Sequence, residues 1–308
     1  MTVVLCPGQG TQRVGMGRDL AERFPAAREA FARVDEALGL PLSRLMWEGP
    51  EDELTLTHNA QPAILAHTLA VLAVAGDRLG PLGAAAGHSL GEYGAYVAAG
   101  ALRPEDAVRL VRRRGELMAE AGRARPGAMA VVLGLGVPAV QEACLQANDG
   151  RHQVVAANIN APDQVVISGD PPAVERAGVR CREAGAKRVL PLKVSGAFHS
   201  PLMAPAAPGL AEALAGAALR DPACAVVANA TAQPVRHAAD ARRLLVEQLT
   251  APVQWVASVE FMAHAVPAAR WLEVGPGNVL AGLVKKIAPG TAVRTLGTAA
   301  ELEAFLGA

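Results

Sequence analysis

The chain has 308 residues, no formal net charge, 51% hydrophobic residues and 3% aromatics. That length buries a sizeable core, as one large domain or two unequal ones. The balanced charge removes the electrostatic case for nucleic acid or an anionic membrane surface as a partner.

The N-terminal Val3–Cys6 run is short and apolar, reads as a strand, and lacks the basic flank and length of a signal peptide. It is followed by Pro7-Gly8-Gln9-Gly10-Thr11-Gln12. This loop lacks the third glycine of a dinucleotide fingerprint and the lysine of a phosphate loop, so nucleotide binding is discounted. A backbone that must come close to a ligand at a strand end suits an oxyanion hole. Helices are expected at Gly17–Ala37 and Pro62–Leu79. A strand at Ala84–Gly87 runs into a helix over Glu92–Ala99. Further helices are expected at Pro104–Ala121, Pro201–Leu214, Asp240–Leu249 and Val279–Ile287. Further strands are expected at Ala225–Asn229, Trp271–Val274 and Ala292–Leu296.

The middle third has a different rhythm. Strands at Met129–Leu133, Val154–Ile159, Gln164–Ser168 and Arg188–Val194 interleave with helices at Pro138–Ala147 and Pro172–Ala184. The order β-α-β-β-α-β is the ferredoxin-like pattern. The expected fold class is therefore α/β. A larger, α/β-hydrolase-like body with a mainly parallel sheet (residues 1–126 and 195–308) carries an inserted ferredoxin-like subdomain (127–194).

Gly87-His88-Ser89-Leu90-Gly91 follows the Ala84–Gly87 strand and precedes a helix. G-x-S-x-G in that setting places a serine hydroxyl at the apex of a sharp turn, with Leu90 supplying an oxyanion amide. A serine hydroxyl needs an adjacent base. Among seven histidines, His199 lies in the loop where the inserted segment rejoins the body, a common location for catalytic groups. His88, next to the serine, is expected to point away from the nucleophile and to be structural.

On the Pro104–Ala121 helix, Ala107, Leu110, Val111, Leu117, Met118 and Ala121 form one apolar stripe. Arg114 falls about 20° from Ala107, inside that stripe. A buried guanidinium needs an anion. Two readings follow: an ion pair with a buried carboxylate, or a fork that grips a substrate carboxylate. Cys6, Cys144, Cys181 and Cys224 show neither C-x-x-C pairing nor metal-ligand spacing. They are expected to be reduced thiols in a cytoplasmic protein without a bound metal.

Taken together, these motifs resemble the malonyl-CoA:acyl-carrier-protein transacylases of bacterial fatty acid synthesis and the acyltransferase domains of polyketide synthases. The resemblance also runs through Arg113-Arg114-Gly115, Asn158-Ile159-Asn160-Ala161-Pro162, Gly196-Ala197-Phe198-His199-Ser200, Pro252-Val253-Gln254-Trp255 and Glu273-Val274-Gly275-Pro276-Gly277. It implies that Ser89 is acylated and that His199 is its base. Gln9 and Leu90 amides would hold the oxyanion, and Arg114 would bind the malonyl carboxylate. Asn160 would line the site, and Gln248 would orient His199 through its backbone carbonyl. Phe198 resembles malonyl-selective members, in which its bulk leaves little room for a 2-methyl branch.

The resemblance further implies ping-pong transfer from malonyl-CoA to the phosphopantetheine thiol of acyl carrier protein, with no cofactor of the enzyme's own, by a monomer. Rival readings are an acyltransferase serving a polyketide synthase or a malonate decarboxylase complex, a serine thioesterase or esterase, and a catalytically silent scaffold for carrier protein.

Overall fold

The computed structural model describes residues 1–307, whose strands form two separate sheets. Strands β1 (Thr2–Cys6) and β2 (Leu82–Gly87) belong to the larger sheet. The smaller one contains β3 (Ala128–Leu133), β4 (Val154–Ala161), β5 (Gln164–Gly169) and β6 (Arg188–Pro191). The chain then returns to the larger sheet with β7 (Ala225–Val227), β8 (Pro234–Val235), β9 (Arg270–Val274) and β10 (Val293–Leu296).

The larger sheet runs β10-β9-β1-β2-β7-β8 and is parallel except for the β7–β8 pair. Its central strand β1 is buried along its whole length, as a strand covered by helices on both faces should be. Strands β1 and β2 end side by side, with Cys6 opposite Gly87. The loops that leave them, Pro7–Gln12 and His88–Leu90, therefore start together. Ligands of open parallel sheets bind outside those carboxyl ends.

The smaller sheet has the order β4-β5-β3-β6 with antiparallel pairing throughout. Counted along the insert, that is second, third, first, fourth, the ferredoxin-like arrangement. Strand alternation divides its side chains between two environments. Ala130, Val132, Val165 and Ile167 pack with the helices Val137–Ala147 and Pro171–Glu183, whereas Met129 and Val166 join the main core.

Several boundaries differ from expectation for identifiable reasons. The Gly17–Ala37 segment is two helices, Arg18–Arg23 and Pro25–Leu38. Phe24 between them is extended (φ −119°, ψ 117°), as a residue before proline prefers. The next core helix starts at Thr57 and includes Pro62, then tightens into a 3-10 turn over Gly76–Leu79. By length and hydropathy alone Thr57–Leu79 is able to cross a bilayer, but most of it is buried inside the protein. Pro205 splits Pro201–Leu214 into a 3-10 turn and a helix from Ala207. Strand β6 stops at Pro191 rather than Val194. Helices Leu42–Glu48, Glu51–Thr55, Trp255–Ala265 and Ala299–Leu306, and the two-residue β8, lie outside the expected elements.

Candidate active site

The turn after β2 brings backbone segments closer than any side chain permits. A Cβ on Gly91 would stand 2.2 Å from the Cys6 carbonyl oxygen, and one on Gly87 would stand 1.9 Å from the Gly91 carbonyl carbon. Glycine at both positions lets the Ser89 turn fold back over the end of β1. Ser89 itself sits in the left-handed region, with φ 54°. Its amide donates to Asn229 Oδ1 (2.7 Å), and Asn229 Nδ2 donates to the Gly87 carbonyl (2.7 Å), so one buried side chain straps both sides of the turn.

His199 arrives from the loop after β6 and is 3% exposed. Its Nδ1–H donates to the Gln248 backbone carbonyl at 2.9 Å. That bond leaves Nε2 as the acceptor, and the Ser89 hydroxyl donates to it at 2.7 Å. Burial, followed by the nearby Arg114 charge, lowers the His199 pKa to about 3. The imidazole is thus neutral at physiological pH, with its Nε2 lone pair turned to the Ser89 hydroxyl. The orienting acceptor is a backbone carbonyl; among the described residues no carboxylate occupies the third position of a serine–histidine–acid triad.

Arg114 is fully buried. Its Nη1 donates to Gln61 Oε1 (2.7 Å), and its Nη2 donates both to Gln248 Oε1 (2.8 Å) and to Ser89 Oγ (3.1 Å). Among the described residues the guanidinium Nε has no hydrogen-bond partner, and no carboxylate lies within ion-pair distance of Arg114. The ion-pair alternative therefore has no partner, and this cation is held by two neutral amides and the serine hydroxyl.

The cleft above Ser89 is lined by Gln9, His88, Asn160, Phe198 and His199, with Met118, Met129 and Val166 as apolar wall. Among the described residues, neither the Gln9 nor the Leu90 amide donates to a protein acceptor, which leaves both available at this end of the sheet. His88 makes structural contacts, as expected, but differs from expectation in its direction. Its side chain lines the cleft, its Nε2–H donates to Asn160 Oδ1 (2.8 Å), and its ring packs edge-on against Trp255. The left-handed turn at Ser89 breaks the strand alternation that would have sent these neighbours to opposite sides.

Glu92, Asn229 and Gln61 were missed by sequence reasoning. Glu92 has a signal in its place one residue past the elbow, where a carboxylate enters the first turn of a helix. Asn229 and Gln61 reach the site through tertiary contacts between distant segments, for which spacing carries no sign.

Residues 3–289 match the model of the acyl transferase domain family. The malonyl CoA-acyl carrier protein transacylase of Bacillus subtilis (strain 168) is 46% identical over 284 residues, 92% of this chain and 89% of the relative. That of Escherichia coli (strain K12) is 47% identical over 283 residues, 91% of each. Among solved structures, a malonyl-transacylase in complex with its type II PKS acyl-carrier protein superimposes with a TM-score of 0.94. It is 42% identical, with 99% of both chains covered. The acyl carrier protein S-malonyltransferase of Vibrio cholerae gives 0.93 at 42% identity, with 98% of this chain and 99% of that one covered. With the elbow, the histidine and the buried arginine assembled on this fold, the chain belongs to the acyl transferase domain family and, within it, to the malonyl CoA-acyl carrier protein transacylases.

Proposed function

We propose that this protein transfers the malonyl group from malonyl-CoA to the phosphopantetheine thiol of an acyl carrier protein, through a malonyl ester on Ser89. The observation that carries this reading is the Arg114 Nη2, 3.1 Å from the nucleophilic oxygen and, among the described residues, without an anionic partner. An acyl group joined to Ser89 and ending in a carboxylate would supply the missing anion. A bidentate guanidinium–carboxylate pair discriminates by leaving the site unsatisfied when the carboxylate is absent.

In the first half-reaction Ser89 Oγ attacks the thioester carbonyl and His199 Nε2 takes the hydroxyl proton. The Gln9 and Leu90 amides stabilise the oxyanion. The C–S bond then breaks, and the departing CoA sulfur takes the proton from His199. In the second half-reaction the carrier thiol gives its proton to His199 and its sulfur attacks the ester carbonyl. The C–O bond to Ser89 breaks, and His199 returns the proton to Oγ. Each half balances with no net proton change. No step draws on a group beyond these side chains, the amides and the two thiols.

In this reading residues 1–126 and 195–308 carry Ser89, His199, Arg114 and Gln248, and the subdomain 127–194 contributes Asn160. Phe198 narrows the cleft against branched acyl groups. The enzyme acts as a cytoplasmic monomer on two soluble substrates. The similarity to a transacylase solved with its carrier protein supports the choice of acceptor.

Intact-mass spectrometry after mixing with malonyl-CoA tests the proposal. The expected result is one malonyl adduct, lost in Ser89→Ala and discharged by carrier protein. An adduct that survives Ser89→Ala, or free malonate released as fast without carrier as with it, overturns it.

A further inference from the structure

Glu92 has no part in the steps above, yet it is fully buried beside them. Its Oε2 accepts from Gln248 Nε2 (2.8 Å) and from the Asn229 backbone amide (3.0 Å), while its Oε1 has no partner among the described residues. The Glu92 carboxyl and the Arg114 guanidinium are thus joined through one amide, since Gln248 Oε1 accepts from Arg114 at its other end.

An amide side chain presents donors at one end and an acceptor at the other, and its neighbours decide which way it lies. With Gln248 as found, its NH2 faces the Glu92 carboxylate and the Ser89 carbonyl (3.0 Å), and its oxygen faces the guanidinium. Turned over, the amide would set NH2 against guanidinium and oxygen against carboxylate. With Gln248, Glu92 and Arg114 all buried, that mismatch is costly. We propose that Glu92 is a positioning residue for malonyl transfer: by fixing the Gln248 amide it fixes the direction in which Arg114 presents its Nη2 to the acyl group on Ser89.

A second strand of the same contact runs through Asn229, whose backbone is held by Glu92 and whose side chain holds the Ser89 amide. Burial raises the Glu92 carboxyl to about 7, so a neutral acceptor in its place is a mild change. Removal of the acceptor is a severe one.

This inference rests on the malonyl-serine reading, and the test separates the two. The full chain and its Glu92→Leu and Glu92→Gln variants are mixed with malonyl-CoA or acetyl-CoA, and adduct formation on Ser89 is timed by intact mass. The ratio of the two rates is independent of how much of a variant is folded. Glu92→Leu is expected to lower the malonyl-to-acetyl ratio about tenfold, the scale of one lost hydrogen bond to a charged group. Glu92→Gln, which retains an oxygen for Gln248 and Asn229, is expected to keep the ratio within about threefold of wild type. Equal proportional losses for both acyl groups in Glu92→Leu, or a fall in Glu92→Gln as deep as in Glu92→Leu, overturns the proposal. A wild-type chain that gains no malonyl adduct removes the parent reading as well. Normal wild-type acylation with an unchanged Glu92→Leu ratio removes only the role of Glu92.

Discussion

The Ser89 hydroxyl lies 2.7 Å from His199 Nε2, and both residues hold left-handed backbones, with φ of 54° and 55°. Non-glycine residues in that region carry strain of about 1–3 kcal/mol, and persist only where surrounding structure over-determines them. Here the Asn229 strap on one side and the Gln248 carbonyl on the other do so. Strain and reactivity should therefore separate on substitution. Ser89→Ala and Ser89→Gly both lose the hydroxyl and should form no adduct. Ser89→Gly should nonetheless be the more stable of the two, by about 1 kcal/mol in denaturant unfolding, because glycine accepts φ near 54° without a Cβ clash. Equal stability of the two variants would show the turn to be unstrained.

Arg114 lies among buried apolar side chains with only amide and hydroxyl oxygens as acceptors. Arg114→Ala should lower malonyl adduct formation about a hundredfold more than acetyl adduct formation, the scale of a buried charge pair that loses one partner. Arg114→Lys should fall between, since lysine keeps the charge but cannot span two acceptors as a fork. Rates measured with both acyl-CoA donors check this, and a common factor for the two would exclude a carboxylate clamp.

The elbow makes a sharper demand on backbone than on side chains. A Cβ at Gly91 would lie 2.2 Å from the Cys6 oxygen and 2.7 Å from the Pro7 oxygen, both main-chain atoms that cannot swing away. Gly91→Ala should therefore cost about 2–3 kcal/mol or more and distort the turn that carries Ser89. Gly282, in the Val279–Ile287 helix, meets nothing within 4 Å. Gly282→Ala should stabilise by about 0.5–1 kcal/mol through helix propensity alone, with adduct formation unchanged. Thermal melting of the two variants decides it, and a Gly91→Ala enzyme as stable and active as wild type would refute the close approach.

What was legible in the sequence had a local signature. Ser89 announced itself through two glycines at fixed spacing, and Arg114 through its angle on an otherwise apolar helix face; the structure buries that side chain completely. The βαββαβ rhythm of the middle third reappears as the smaller sheet because alternation and turn residues act over a few residues. His88 misled because strand alternation was extended through a turn that a left-handed residue breaks. Asn229 lies 140 residues from Ser89, whose amide it accepts from, and nothing in the spacing of either segment marks that bond. Residue type and period reveal which face a side chain takes; which distant segment meets it is decided by the closing of the sheet.

His67 gives the clearest dependence of stability on pH outside the reaction centre. It is 2% exposed; its Nε2–H donates to the Gly297 carbonyl at 2.9 Å, and its Nδ1 has no partner among the described residues. Burial holds its pKa down at about 4, against 6.5 when free; the Gly297 carbonyl, Asp19 and Glu301 oppose that fall and Arg13 adds to it. The unfolded chain therefore binds this proton more readily than the folded one. The resulting stability is fully present above 6.5 and is lost as pH falls from 6.5 towards 4. The loss attributable to His67 is on the order of 3 kcal/mol across that window. His67→Gln keeps a donor for Gly297 without a titrating ring. Its denaturant midpoint should fall less steeply than wild type between those pH values and run parallel to wild type above pH 7. Parallel curves throughout would mean that His67 charges inside the folded protein with a partner supplied by rearrangement. A steeper fall in His67→Gln would mean that the imidazole proton stabilises the fold, with the opposite sign of linkage.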